Sequence, residues 1–111
     1  MTRITFAIGQ TFDGRGNKLD ALEEKRALAY AHVARVLGGF TASLGVGGWI
    51  DPRGTLVLED SLTITSYASD SALDAVDSIA EYLRALFSQE SVLVALEHAE
   101  TRFVETSPIA A

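Results

Sequence analysis

The chain has 111 residues, enough for one hydrophobic core and too few for two, and its 48% apolar and 22% charged shares belong to a folded domain. Nine basic against fifteen acidic residues leave a net charge of −6, which repels a phosphate backbone and excludes general nucleic-acid binding. There is no cysteine, which excludes disulfides and thiolate metal sites and fits a reducing cytoplasm.

Ile4, Phe6 and Ile8 alternate with Arg3, Thr5 and Ala7, the period-two pattern of a strand with one face on a core. This stretch, residues 3–8, is β1. It has neither the apolar run of a signal peptide nor the length of a membrane span, so the expected compartment is the cytoplasm. Residues 9–17 carry three glycines and read as a loop, with Asn17 or Asp20 as the N-cap of a helix. That helix, α1, is predicted over 18–37. Its apolar stripe is Leu22, Ala29, Val33 and Val36, flanked by Leu19, Tyr30 and Leu37. Gly38-Gly39 ends it, because glycine tolerates the left-handed conformation of a C-terminal cap.

Phe40, Ala42, Leu44 and Val46 then alternate with Thr41, Ser43, Gly45 and Gly47, defining β2, with a bulge or close approach expected at Gly47-Gly48. Asp51-Pro52-Arg53-Gly54 has the composition of a type I turn, so β2 and the following strand form a hairpin. In β3, from residue 56, Leu56, Leu58, Leu62 and Ile64 continue the core-facing alternation. Asp60 falls on that same parity, which calls for a bulge or a partly buried acid. Ser71 is the expected cap of α2, whose stripe is Leu73, Val76, Ala80, Leu83 and Phe87, ending near Ser88. Residues 91–96, SVLVAL, are apolar on both faces and form β4. Residues 97–105 either extend it or make a short extra strand, and 107–111 read as a frayed tail after a single domain over 1–106.

The order β-α-β-β-α-β predicts an α+β ferredoxin-like fold, a four-stranded antiparallel sheet with both helices on one face. Strands β1 and β3 are then central and β2 lies on an edge. Strand direction brings Gln10, Arg15, Lys18, Trp49, Arg53 and Gln89 to one rim. The other sheet face is rich in hydroxyls, with Thr5, Thr41, Ser43, Ser61, Thr63 and Thr65.

No Ser-His-Asp set, HExxH motif or metal spacing is present, and no cofactor or metal is expected. The loop 9–18 lacks the P-loop ending; it is either a plain capping loop or an anion cradle to which Arg15 and Lys18 add charge. Trp49 with Arg53 either closes the end of the core or stacks and pairs with a planar charged ligand.

Gly38-Gly39-Phe40-Thr41, Gly45-Val46-Gly47-Gly48-Trp49, Gly54 and Glu59, followed by a helix and Gln89-Glu90-Ser91-Val92-Leu93-Val94, resemble short uncharacterised bacteriophage and bacterial accessory proteins. The resemblance spans residues 38–94 and implies a phage or mobile-element accessory protein, with no catalytic residue carried over. The functional expectation is a small non-catalytic homo-oligomeric binding protein. Its Gln10, Arg15, Lys18, Trp49 and Arg53 would capture a small anionic or nucleotide-like ligand as part of a phage counter-defence function. Two alternatives stand beside it. One is a cofactor-independent enzyme of the dimeric α+β-barrel type, using His98, Tyr67 or Asp60 on a small organic substrate. The other is a module that binds a host protein through edge strand β2.

Overall fold

A computed structural model describes residues 1–106; the expected frayed tail, 107–111, lies outside the described residues. Strands β1 (Thr2–Gly9), β2 (Thr41–Ile50), β3 (Leu56–Ala68) and β4 (Leu93–His98) form one antiparallel sheet in the order β2-β3-β1-β4. Helices α1 (Leu22–Leu37) and α2 (Val76–Leu86) cover one face, which is the ferredoxin-like arrangement expected from the element order. Among the described residues no helix is long and apolar enough to cross a membrane.

The core lies between sheet and helices. Ile4, Phe6 and Ile8 of β1 and Leu62, Ile64 and Ala68 of β3 meet Ala29, Val33 and Leu37 of α1 and Val76, Ile79, Leu83 and Phe87 at α2. On α1 the buried residues follow a strict spacing of four, so Leu37 is inside and Val36 is exposed, reversing their expected roles. Ser66, buried on the core face of β3, donates its hydroxyl to the Gly39 carbonyl at 2.7 Å and fixes where β2 begins.

Both helix starts differ from expectation. Neither Asn17 nor Asp20 caps α1: the Asn17 amide donates to Asp13, Asp20 pairs with Lys25 at 3.2 Å, and Ala21 enters the helix with φ 51°. The loop spends its polar groups on itself, so the helix begins later than periodicity suggested. Ser71 likewise bonds Ser69 within a 3-10 turn over Asp70–Ala75, and α2 starts only at Val76. The C-cap is as expected, with Gly38 at φ 95° donating its N–H to Ala34.

The β2–β3 hairpin is regular throughout. Its ladder runs without interruption from Thr41↔Thr65 to Ile50↔Leu56, so neither Gly47-Gly48 nor Asp60 marks a bulge. Asp60 is not buried either. Strand β1 pairs with β3 only as far as Gly9↔Ser61, and beyond it β2 and β3 continue as a two-stranded ribbon. Asp60, Leu58 and Leu56 therefore project past the helices into solvent. The turn closes with Gly54 N–H to Asp51 C=O at 2.9 Å and Gly54 at φ 82°, while the Asp51 carboxylate accepts the amides of Arg53 and Thr55. After β4, residues 99–106 form no further strand.

Candidate functional site

A cleft of about 900 Å³ lies on the helix-free face of the sheet, at the root of the ribbon. Its floor comes from residues that strand alternation turns to this face. They are Ala7 and Gly9 of β1, Gly47 and Trp49 of β2, Val57, Glu59 and Ser61 of β3, and Leu93 of β4. The walls are Phe12, Asp13, Gly14 and Gly16 from the loop between β1 and α1, and Gln89, Glu90 and Ser91 between α2 and β4. The hollow exists because Gly9 and Gly47 carry no side chain where the neighbouring strands place theirs.

Two side chains use that space. A Cβ at Gly9 would stand 2.8 Å from Glu59 Oε1 and 2.8 Å from Gln89 Oε1, so the carboxylate and the amide oxygen both lie over the Gly9 backbone. The Gln89 orientation is fixed: its Nε2 donates to Phe12 O at 2.7 Å and to Phe87 O at 2.9 Å, leaving Oε1 as the end turned to the cleft. These bonds, with Gly14 N–H to Ser88 O at 2.8 Å, join the two walls. Asp13 shapes the first of them. Its Oδ1 accepts the amides of Asn17 at 2.9 Å and Arg15 at 2.8 Å, and these hydrogen bonds hold its carboxyl below the ordinary value of 3.8.

A carboxyl with a depressed pKa contributes stability that is present above its ordinary value and lost as pH falls through the lower folded value. The 13–17 turn is accordingly expected to hold at neutral pH and loosen only below pH 3.8. Following the Arg15 and Asn17 amide resonances through an acid titration checks this; Asp13→Ala should abolish the dependence.

The structure brings together only part of the predicted rim. Trp49 and Gln89 line the cleft. Gln10 does not: it follows Ile8 on the core-facing parity, is 1% exposed, and accepts a hydrogen bond from Arg26 Nε at 2.8 Å. Arg15 and Lys18 lie in the outer loop and Arg53 sits at the ribbon tip, all outside the lining. Among the described residues the charged side chains lining the cleft are Asp13, Glu59 and Glu90, with no basic group. A rim expected to attract anions is thus acidic. Glu59 was legible as an open-face residue opposite Gly47, since strand parity alone separates it from Asp60.

The residues of the enzymatic alternative are elsewhere. His98 pairs with Thr2 and Tyr67 with Arg3 at the far end of the sheet, where Arg3 and Glu97 form a 2.6 Å ion pair; Asp60 faces away from the cleft. No group of three metal-ligating side chains converges among the described residues.

No family model matches the chain, and no curated protein is similar to it in sequence. Among solved structures, a phage SAM lyase in complex with S-methyl-5'-thioadenosine is similar at TM-score 0.63 and 22% identity, over 86% of this chain and 79% of that one. CutA1 from Pyrococcus horikoshii OT3 is similar at TM-score 0.63 and 5% identity, over 93% and 87%. The periplasmic divalent cation tolerance protein CutA from Archaeoglobus fulgidus is similar at TM-score 0.62 and 8% identity, over 93% and 88%. These likenesses establish the fold.

Proposed function

We propose that the chain is a small homo-oligomeric ligand-binding protein whose cleft takes a nucleoside bearing a positively charged sulfonium, the class to which S-adenosylmethionine belongs. The observation that carries this reading is the charge of the lining. Asp13, Glu59 and Glu90 are the charged residues of the lining, the Glu59 carboxylate and a fixed amide oxygen lie over the glycine floor, and the Trp49 indole stands at the lip, 52% exposed. Carboxylates favour a cation over an anion, and an indole face adds attraction for a cationic centre or a stacked base. The likeness to a phage lyase holding S-methyl-5'-thioadenosine supports the nucleoside part of the ligand. In a phage-encoded protein, sequestering a methyl-donor sulfonium would deprive host enzymes of it, which is the form the counter-defence reading takes.

Trp49 is the only tryptophan, so its fluorescence reports directly on the cleft. Titration with S-adenosylmethionine is expected to shift that emission, and AMP or cyclic nucleotides are expected not to, because their phosphates meet the carboxylates. Equal or tighter binding of the anionic nucleotides would overturn the reading.

A second reading is elimination from the bound sulfonium. The Glu59 carboxylate, which lies in the cleft with no hydrogen-bond donor from the described residues, takes a proton from the carbon next to the departing C–S bond. The C–H pair becomes a C=C bond in the released side chain, and the C–S pair leaves with the sulfur as a neutral thioether. Chromatography of the incubated mixture separates the two: a neutral thioadenosine product marks turnover, and unchanged ligand marks binding alone.

A further inference from the structure

We infer that copies of this chain associate head to tail, the ribbon of one covered by the segment that follows β4 in the next; this rests on the self-association part of the reading above. The side of the ribbon opposite the cleft carries Val46, Ile50, Leu56 and Leu58, joined by Leu44 at its root, each 57–74% exposed. A two-stranded ribbon gains little stability by itself and needs its apolar face covered. Residues 41–58 contain only Asp51 and Arg53 as charges, both at the turn, and Asp60, opposite Val46 at the root, is the one acid on this side of the ribbon among the described residues. In a chain of net charge −6, the stretch from Val46 to Leu58 is where identical, mutually repelling molecules can approach.

The apolar counterpart lies at the other end of the molecule. Phe103 is 91% and Val104 87% exposed, and they follow Ala99, whose N–H bonds Met1 O beside the Thr2↔Ala68 end of the sheet. Leu58 is about 33 Å along β3 from Ala68 at strand rise. The chain from Ala99 to Val104 spans at most about 18 Å. The segment therefore cannot reach its own ribbon, and a second copy can supply it. Two different surfaces at opposite ends give a heterologous contact, which closes into a ring or continues as a filament.

The test uses two full-length variants, Val46→Asp/Leu58→Asp on the ribbon and Phe103→Asp/Val104→Asp after β4, with circular dichroism to show that each folds. Should the ribbon variant not fold, the milder Val46→Ser/Leu56→Ser takes its place. By light scattering, the unchanged chain is expected to be oligomeric and each variant monomeric. An equimolar mixture of the two variants is expected to form dimers, because it retains one intact contact. Assembly of either variant alone, or a mixture that stays monomeric, overturns the head-to-tail arrangement. A monomeric unchanged chain overturns self-association altogether, leaving the ligand reading to its own titration.

Discussion

Replacing Glu59 by glutamine is expected to weaken S-adenosylmethionine binding about tenfold while leaving S-methyl-5'-thioadenosine within about twofold, since a charge-assisted contact contributes about 1.5 kcal/mol and each 1.4 kcal/mol is tenfold. The substitution keeps the shape of the side chain over Gly9 and removes only its charge. The neutral thioether shares the nucleoside and lacks the sulfonium, so the pair isolates the electrostatic part of recognition. Because Glu59 is only half-buried, solvent screens the contact and the lower end of the usual range applies. Calorimetric titration of both ligands checks this. A parallel loss for both would place Glu59 in shaping the cleft and remove the argument for a cationic ligand.

Gly9→Ala should separate stability from binding. The added methyl would meet the Glu59 and Gln89 oxygens at 2.8 Å; the Glu59 carboxylate can swing aside, and Gln89 must give by a small shift of an amide that two hydrogen bonds hold. Folding is expected to change by less than about 1 kcal/mol, since alanine also restricts the unfolded chain. Binding of both the cationic and the neutral ligand is expected to fall about tenfold or more, because the floor fills and its two oxygens are displaced together. Thermal melting alongside calorimetry reads both quantities. A large fall in melting temperature with affinity retained would show Gly9 to serve the sheet alone.

The fold was legible because its signals are local and agree with one another. Alternation at Ile4, Phe6 and Ile8, the Gly38 cap and the Asp51–Gly54 turn each specify an element without reference to the others. The helix starts were less so. Asn17 and Ser71 are good capping types, but the Asp13 turn holds the Asn17 backbone amide well before the helix and the Ser71 hydroxyl bonds Ser69, arrangements that composition does not reveal. Leu56 and Leu58 were expected on the core face with Leu62 and Ile64, and they share its parity but are exposed, because whether that face meets a helix depends on where β1 stops pairing, which is a tertiary fact.

The site was legible in part. Topology placed the β1–α1 loop, the hairpin and the α2–β4 connection at one end, and Trp49 and Gln89 meet there. Gln10 was lost because alternation was not carried past Gly9, although it continues Ile8's parity into the core. Arg15, Lys18 and Arg53 share the right end of the sheet without lining its hollow. Glu59 drew attention only as the neighbour of Asp60, a pair that strand alternation sets on opposite faces, and Asp13 and Glu90 are single carboxylates that a net charge of −6 makes unremarkable. Only the convergence of Asp13, Glu59 and Glu90 on one cleft gives them meaning.

The ribbon presents Trp49 and Glu59 on one side and Val46 and Leu58 on the other, with the same backbone between them. If a ligand on one side and a second copy on the other each order the ribbon, linkage makes occupancy and assembly reciprocal. A ligand that favours the assembled chain must be favoured by it to the same factor. Affinity would then rise with protein concentration, and a dilution series at fixed ligand would read the coupling without any substitution.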